Sequence, residues 1–133
     1  MINFISFCTF NARGLSDHKN RGKVFTWLHN QNLSITFIQE AHCIEASLSI
    51  WRNTRGGKAL FSCGAVRSAG CVILFKPSLN FTLVKYIADC KGRHIFADID
   101  IDDFIYTIFN VYAPNTDDPS FYNDVYTQLT SNL

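Results

Sequence analysis

The sequence predicts a layered α/β (α+β) fold, and three observations carry that expectation. The chain opens strand–helix–strand, continues as short β-prone runs between turn clusters, and finishes on a helical pattern. Its composition is that of a packed protein, with 47% hydrophobic and 17% charged residues. Twelve Phe, five Tyr and two Trp supply ample bulky apolar area to bury. A length of 133 residues suits one domain or a piece of a larger one.

Each element follows from its local pattern. Residues 2–10 are rich in Ile and Phe and stop at Asn11-Ala12-Arg13-Gly14, a strand and then a turn. In 18–31, Val24, Trp27, Leu28 and Gln31 stand at i, i+3, i+4 and i+7, one face of an amphipathic helix with basic residues at its start. Residues 33–38 form a second β-prone run with Gln39-Glu40 at its end, and 46–51 suit a short helix before the turn Arg55-Gly56-Gly57. Strands are expected at 60–63, 70–75, 81–87, 94–101 and 104–112, the second closed by Lys76-Pro77. Short turn clusters at 89–92 and Asp102-Asp103 make this stretch look like a meander. Asp118-Pro119 then supplies an N-cap and a proline at the first helical position, opening a helix through Phe121, Val125 and Leu129. No repeat, low-complexity tract or linker interrupts the order.

Composition also excludes some classes. A net charge of +1 does not announce a polyanion binder, so any nucleic-acid contact has to rest on a local patch. Candidates are Arg13, His18, Lys19, Arg21 and Lys23, with Arg52, Arg55, Lys58 and Arg67 further on, although charge runs are mostly solvated faces. The cysteines Cys8, Cys43, Cys63, Cys71 and Cys90 lack zinc-type spacing and read as buried thiols with no disulfide partner. The N-terminal run lacks the basic start and cleavage site of a signal peptide, and no run approaches the roughly 20 apolar residues of a membrane span. The expectation is an intracellular protein, nuclear or cytoplasmic, that is not secreted and has no membrane partner.

Chemistry-bearing residues collect at strand ends, where loops place polar groups over a rigid scaffold. They are Asn11 in Asn-Ala-Arg-Gly-Leu, Glu40 in Phe-Ile-Gln-Glu-Ala-His, and Tyr112 and Asn115 in Asn-Val-Tyr-Ala-Pro-Asn. A strand-end carboxylate suits a hard cation such as Mg²⁺, which takes one or two protein carboxylates plus water and phosphate. Tyr112 and Asn115 offer neutral donors to phosphate oxygens. Taken singly, each has a plainer reading: Glu40 as a solvated or salt-bridged acid, Asn11 as a turn former, Tyr112 as a strand-end aromatic.

Their order along the chain resembles the endonuclease/exonuclease/phosphatase superfamily, particularly the endonuclease domains of non-LTR (LINE-type) retrotransposons. The segments Ser68-Ala69-Gly70-Cys71-Val72-Ile73-Leu74 and Asp89-Cys90-Lys91-Gly92-Arg93, with Gly57, also sit where that family has similar ones. The resemblance implies a four-layer α/β/β/α sandwich of two mixed, largely antiparallel sheets with outer helices, here incomplete. Residues 1–133 would be the front of one domain, with the C-terminal portion absent. It implies Glu40 as the ligand of Mg²⁺, with Mn²⁺ an alternative, and Asn11 as an active-site amide near that metal. Tyr112 would contact the scissile phosphate of a DNA substrate, and Asn115 would bind phosphate or shape the site. Arg13, Lys19 and Arg21 would face the DNA backbone. No small-molecule cofactor is implied.

Two departures qualify that reading. Arg13 stands where the abasic-site repair branch has an aspartate, which favours the retrotransposon type. The family's later Asp-x-Asn and Asp-His motifs do not follow Asn115; Asn123-Asp124 lies inside the expected last helix, and His42 and His94 are loop and strand residues rather than substitutes. Without the groups that activate water, the chain by itself is expected to be inactive or nearly so, with exposed strand edges and poor solubility. Two other readings stay open: a phosphatase or phosphodiesterase of the same superfamily acting on a lipid or small phosphate, and a non-enzymatic relic or interaction module.

Overall fold

Strand β1 (Phe7–Asn11) runs parallel to β2 (Ile35–Gln39), pairing Phe7 with Ile35 and Asn11 with Gln39, and helix α1 (His18–Gln31) connects them. The computed structural model describes residues 4–43, 48–49, 51, 57–64, 69–113 and 117–131. A parallel pair needs such a crossover, because a tight hairpin only joins antiparallel neighbours. β1 begins later than the apolar run predicts. Ahead of Phe7, side-chain bonds join the backbone ones that Ser34 N and Ile35 N make to Ser6 O, with Ser6 N donating to Ser34 Oγ at 3.1 Å and Ser34 N to Ser6 Oγ at 3.0 Å.

Helix α1 has the predicted bounds, with Asp17 as N-cap and Asn32 in the left-handed conformation (φ 56°) as C-cap. Its buried face differs from the expected one. Arg21, Phe25 and Leu28 turn inward, while Trp27 is half exposed and Gln31 is exposed. Phe25 and Arg21 meet the buried Trp51, edge-on at 5.8 Å between ring centroids and over the ring at 5.6 Å. An arginine that stacks on an aromatic and bonds carbonyls belongs to an inner face that hydrophobic periodicity alone does not find. Leu48, Ser49 and Trp51 are helical, as expected; the rest of the 46–51 segment and Arg55-Gly56 lie outside the described residues.

The expected meander splits in two. β3 (Ala59–Ser62) and β4 (Cys71–Phe75) are antiparallel, and β4 inserts beside β2, giving a mixed sheet in the order β1–β2–β4–β3. After a turn closed by Leu79 N to Lys76 O at 2.9 Å, β5 (Thr82–Ala88), β6 (His94–Ile101) and β7 (Phe104–Val111) form a second, antiparallel sheet. A strand pattern gives no partner, so it does not reveal where the chain changes sheet.

The two sheets pack face to face. Ile35, Cys71, Ile73 and Phe75 of the first meet Ile95, Ala97, Ile99 and Ile108 of the second. Ile38, Val72 and Leu74 point the other way, into a second core with Phe25 and Leu28 of α1 and with Trp51. β4 therefore lies between α1 and the second sheet and is buried at all five positions, which its sequence Cys-Val-Ile-Leu-Phe satisfies. Helix α2 (Pro119–Ser131) is capped by Asp118, buries none of its residues, and flanks a cavity of about 810 Å³ shared with Ile87 and the segment ending at His94. The architecture is the predicted α+β sandwich. Among the described residues no helix is long and apolar enough to cross a membrane.

Candidate active site

Glu40 is placed by the way β2 ends. Its φ of 51° takes it out of the strand conformation, a costly region for a residue with a Cβ, and turns its side chain toward the second sheet. There the Tyr112 hydroxyl donates to Glu40 Oε1. No described residue bonds the second carboxylate oxygen. The two residues are 72 apart in sequence and belong to different sheets, so their meeting is a product of the fold.

Asn11 comes alongside through the parallel pairing, which continues past the strands. Ala12 N donates to Gln39 O at 2.9 Å, Gly14 N to Glu40 O at 2.7 Å, and Leu15 N to Ala41 O at 2.9 Å. Asn11 is exposed, and its Oδ1 accepts from Arg13 N at 3.2 Å, the local turn that its residue type favours. Gly14 has φ +106°, and a Cβ there would fall 2.6 Å from the His42 ring, so the loop and the His42 side chain fit only with glycine. His42 is thus a packing residue of the loop after Glu40.

Asn110, which the sequence pattern did not single out, fixes the site. Asn110, 2% exposed, donates from Nδ2 to Ile38 O at 3.0 Å and to Val72 O at 2.9 Å, and accepts from Gln39 Nε2 at 2.8 Å. It fastens β7 to both central strands of the other sheet, one residue pair from Tyr112 and Glu40. The only sequence signal was an amide in an otherwise apolar run, where a buried polar group has to find partners.

A second support runs through glycines. Ala41 N donates to Gly70 O at 3.0 Å, and Gly70 N to Gly92 O at 3.0 Å. Tyr112 N donates to Arg93 O at 2.7 Å, and the Arg93 guanidinium lies 5.2 Å from the Tyr112 ring centre. Gly92 has φ +75°, and a Cβ there would stand 2.6 Å from Gly70 N. Together with the Tyr112–Glu40 contact these bonds close a circuit around the site.

Asp89 holds that circuit from outside. Its Oδ1 accepts from Ser62 Oγ at 2.5 Å, Arg93 N at 2.8 Å and His94 N at 3.2 Å. Burial opposes its ionisation, but the Ser62 hydroxyl and the Arg93 and His94 amides outweigh it, so the carboxyl titrates below its ordinary value.

The expected phosphate-facing cations divide. Arg13 and Lys19 are exposed. Arg21 is not, being 4% exposed with Nη1 donating to Leu15 O at 3.0 Å and Ser16 O at 3.2 Å, which commits it to holding the loop before α1. Asn115, Arg52, Arg55 and Arg67 lie outside the described residues. The cysteines are also less uniformly buried than expected: Cys43 and Cys71 are buried, Cys8 and Cys63 partly so, and Cys90 is exposed.

No family model matches the chain. Over 112 residues, 84% of this chain and 9% of the other, it is 26% identical to an uncharacterised 149 kDa protein of transposon TX1 from Xenopus laevis. It superimposes on the AP endonuclease LMAP of Leishmania major with a TM-score of 0.68 at 16% identity, covering 93% of this chain and 44% of that one. For the catalytic domain of APE2 from Xenopus laevis the TM-score is 0.58 at 18% identity, covering 92% and 49%. The chain therefore shares the two-sheet fold of these structures. The chain spans about half or less of each of these proteins.

Proposed function

We propose that this chain carries the metal- and phosphate-facing front of a DNA endonuclease site of the retrotransposon type, within a domain that continues beyond it. The observation that supports this reading most is the meeting of Glu40 and Tyr112 from opposite sheets, with Asn11 on the neighbouring strand as the register partner of Gln39. The likeness of the fold to an AP endonuclease and the similarity to a transposon protein make DNA the favoured substrate.

The donor set suits Mg²⁺ in part. Glu40 offers a hard carboxylate oxygen not engaged by any described residue, and Mg²⁺ usually takes only one or two protein carboxylates, completing its shell with water and phosphate. Among the described residues no group of three or more His, Cys, Asp and Glu side chains forms a fuller cage. Glu40 would hold the ion, with Asn11 beside it, and Mn²⁺ could replace Mg²⁺. When bound, such an ion neutralises charge developing on a phosphodiester.

The chain's own residues do the rest of the positioning. Tyr112 keeps one Glu40 oxygen in place and presents a phenol next to the phosphate position. Arg13 and Lys19, both exposed, draw in the polyanion. The group that bonds Glu40 is the Tyr112 phenol and His42 packs against Gly14, so slow cleavage is expected, with each acid or base group not supplied worth factors of about 10²–10⁴.

Nicking of supercoiled plasmid tests this directly. Slow, Mg²⁺-dependent relaxation is expected from the wild-type chain and none from Glu40→Ala. Equal nicking by both proteins would remove Glu40 from the mechanism.

A further inference from the structure

Cys43 follows Glu40 by three residues, in the loop that carries the metal-facing carboxylate. Its Sγ lies 3.0 Å from that of Cys63, which stands just past the end of β3. Both thiols are reduced. Two sulfurs at this separation are closer than ordinary non-bonded atoms and need to approach by about 1 Å to reach the roughly 2.0 Å of a disulfide. The surroundings hold each partner still. Gly70 packs so tightly on Cys43 that a Cβ there would stand 3.0 Å from its Sγ and 3.2 Å from its amide. Ser62, the neighbour of Cys63, is tied through Oγ to Asp89 O at 2.8 Å and to Asp89 Oδ1.

We propose that Cys43 and Cys63 form an internal disulfide under mild oxidation by a hydroperoxide, and that this bond clamps the loop bearing Glu40 to the end of β3. The chemistry balances in two steps. A hydroperoxide such as hydrogen peroxide oxidises the Cys63 sulfur to a sulfenic acid and is itself reduced to water. The Cys43 sulfur then attacks that sulfur, a second water leaves with the Cys43 proton, and the S–S bond forms. Cys63 is the first to react because it is only partly buried, whereas Cys43 is fully buried. The Cys63 contact and burial also push the Cys43 thiol up, so Cys43 by itself is a poor target. The bond crosses from the loop after β2 to the strand on the far side of β4, so it stiffens Ala41 and its bond to Gly70.

Peptide mapping of the full folded chain tests the proposal. Cleavage after Lys and Arg isolates Cys43 in residues 24–52 and Cys63 in residues 59–67, each with no other cysteine. After brief treatment with hydrogen peroxide and alkylation of the remaining thiols, these fragments are expected joined, lighter than their sum by two hydrogens, about 2 Da. Cys90→Ser keeps the joined species, and Cys63→Ser loses it while remaining folded by circular dichroism. Amide exchange at residues 41–43 is expected to slow about tenfold on oxidation. A crosslink that runs through the exposed Cys90, joins two chains, or leaves Cys43 open to alkylation after unfolding would overturn the disulfide. A joined pair with unchanged exchange at 41–43 would overturn the clamp.

Discussion

Around Glu40, hydrogen bonds from both sheets converge on a few buried atoms, whereas α2, which flanks the same end of the sandwich, buries none of its residues. The site is held by Asn110 across the sheets and by the Gly70–Gly92–Arg93 circuit behind Tyr112. Helix α2 is held by its capping aspartate and by one face toward an open cavity. The contrast teaches that placement of the front carboxylate belongs to the global fold, while the helix after the Tyr112 loop belongs to local stability.

Breaking the seam should have the largest effect. Asn110→Ala removes a buried amide that donates to Ile38 O and Val72 O and accepts from Gln39 Nε2. A loss of about 2–3 kcal/mol in urea unfolding is expected, since three buried hydrogen bonds are lost at about 0.5–1.5 kcal/mol each. A loss under about 0.5 kcal/mol would mean that the sheets are not fastened there.

The support behind Tyr112 is next, and pH separates it from simple packing. The folded-state pKa of Asp89 is depressed, so its contribution to stability is present above the unfolded carboxylate value and is lost as pH falls through the lower folded value. Asp89→Asn should therefore be less stable than wild type at neutral pH, with the gap closing on acidification below about pH 4. A gap that stays constant from neutral to acid pH contradicts an ionised Asp89 as the anchor of the Arg93 and His94 amides.

The smallest effect falls on α2. Asp118 bonds Phe121 N at 3.2 Å and Ser120 Oγ at 2.7 Å, and these hydrogen bonds draw its titration below the ordinary carboxylate value. Asp118→Ala should fray the helix, seen as reduced helical circular dichroism, and leave the cooperative melting of the sandwich where it was. A matching fall in the melting temperature would show that α2 is part of the same cooperative unit.

Much of the fold was legible because periodicity and turn chemistry decide it locally. Helix α1 keeps the bounds set by Asp17 and Asn32, and β6 those set by the clusters on either side. Pairing was not legible, since the five buried residues of β4 suit any central strand and do not name β2 and β3 as neighbours. The inner face of α1 was misplaced because Arg21 is buried by stacking and carbonyl bonds rather than by hydrophobicity. In the site, Glu40, Tyr112 and Asn11 stood out as polar groups ending apolar runs. Asn110 did not, and Asp89 and Gly92 stood out only as part of a family-like turn segment, because their roles lie in partners 71, 27 and 22 residues away or in a backbone angle.

Paramagnetic broadening by Mn²⁺ in the amide NMR spectrum tests the central claim most directly, since it reads metal position without requiring turnover. At low Mn²⁺, signals of Asn11, Glu40, Ala41 and Tyr112 should broaden first, and Glu40→Gln should abolish the effect. Broadening centred on Asp102 and Asp103 or on Asp118 and Asp124, and unchanged in Glu40→Gln, would contradict it.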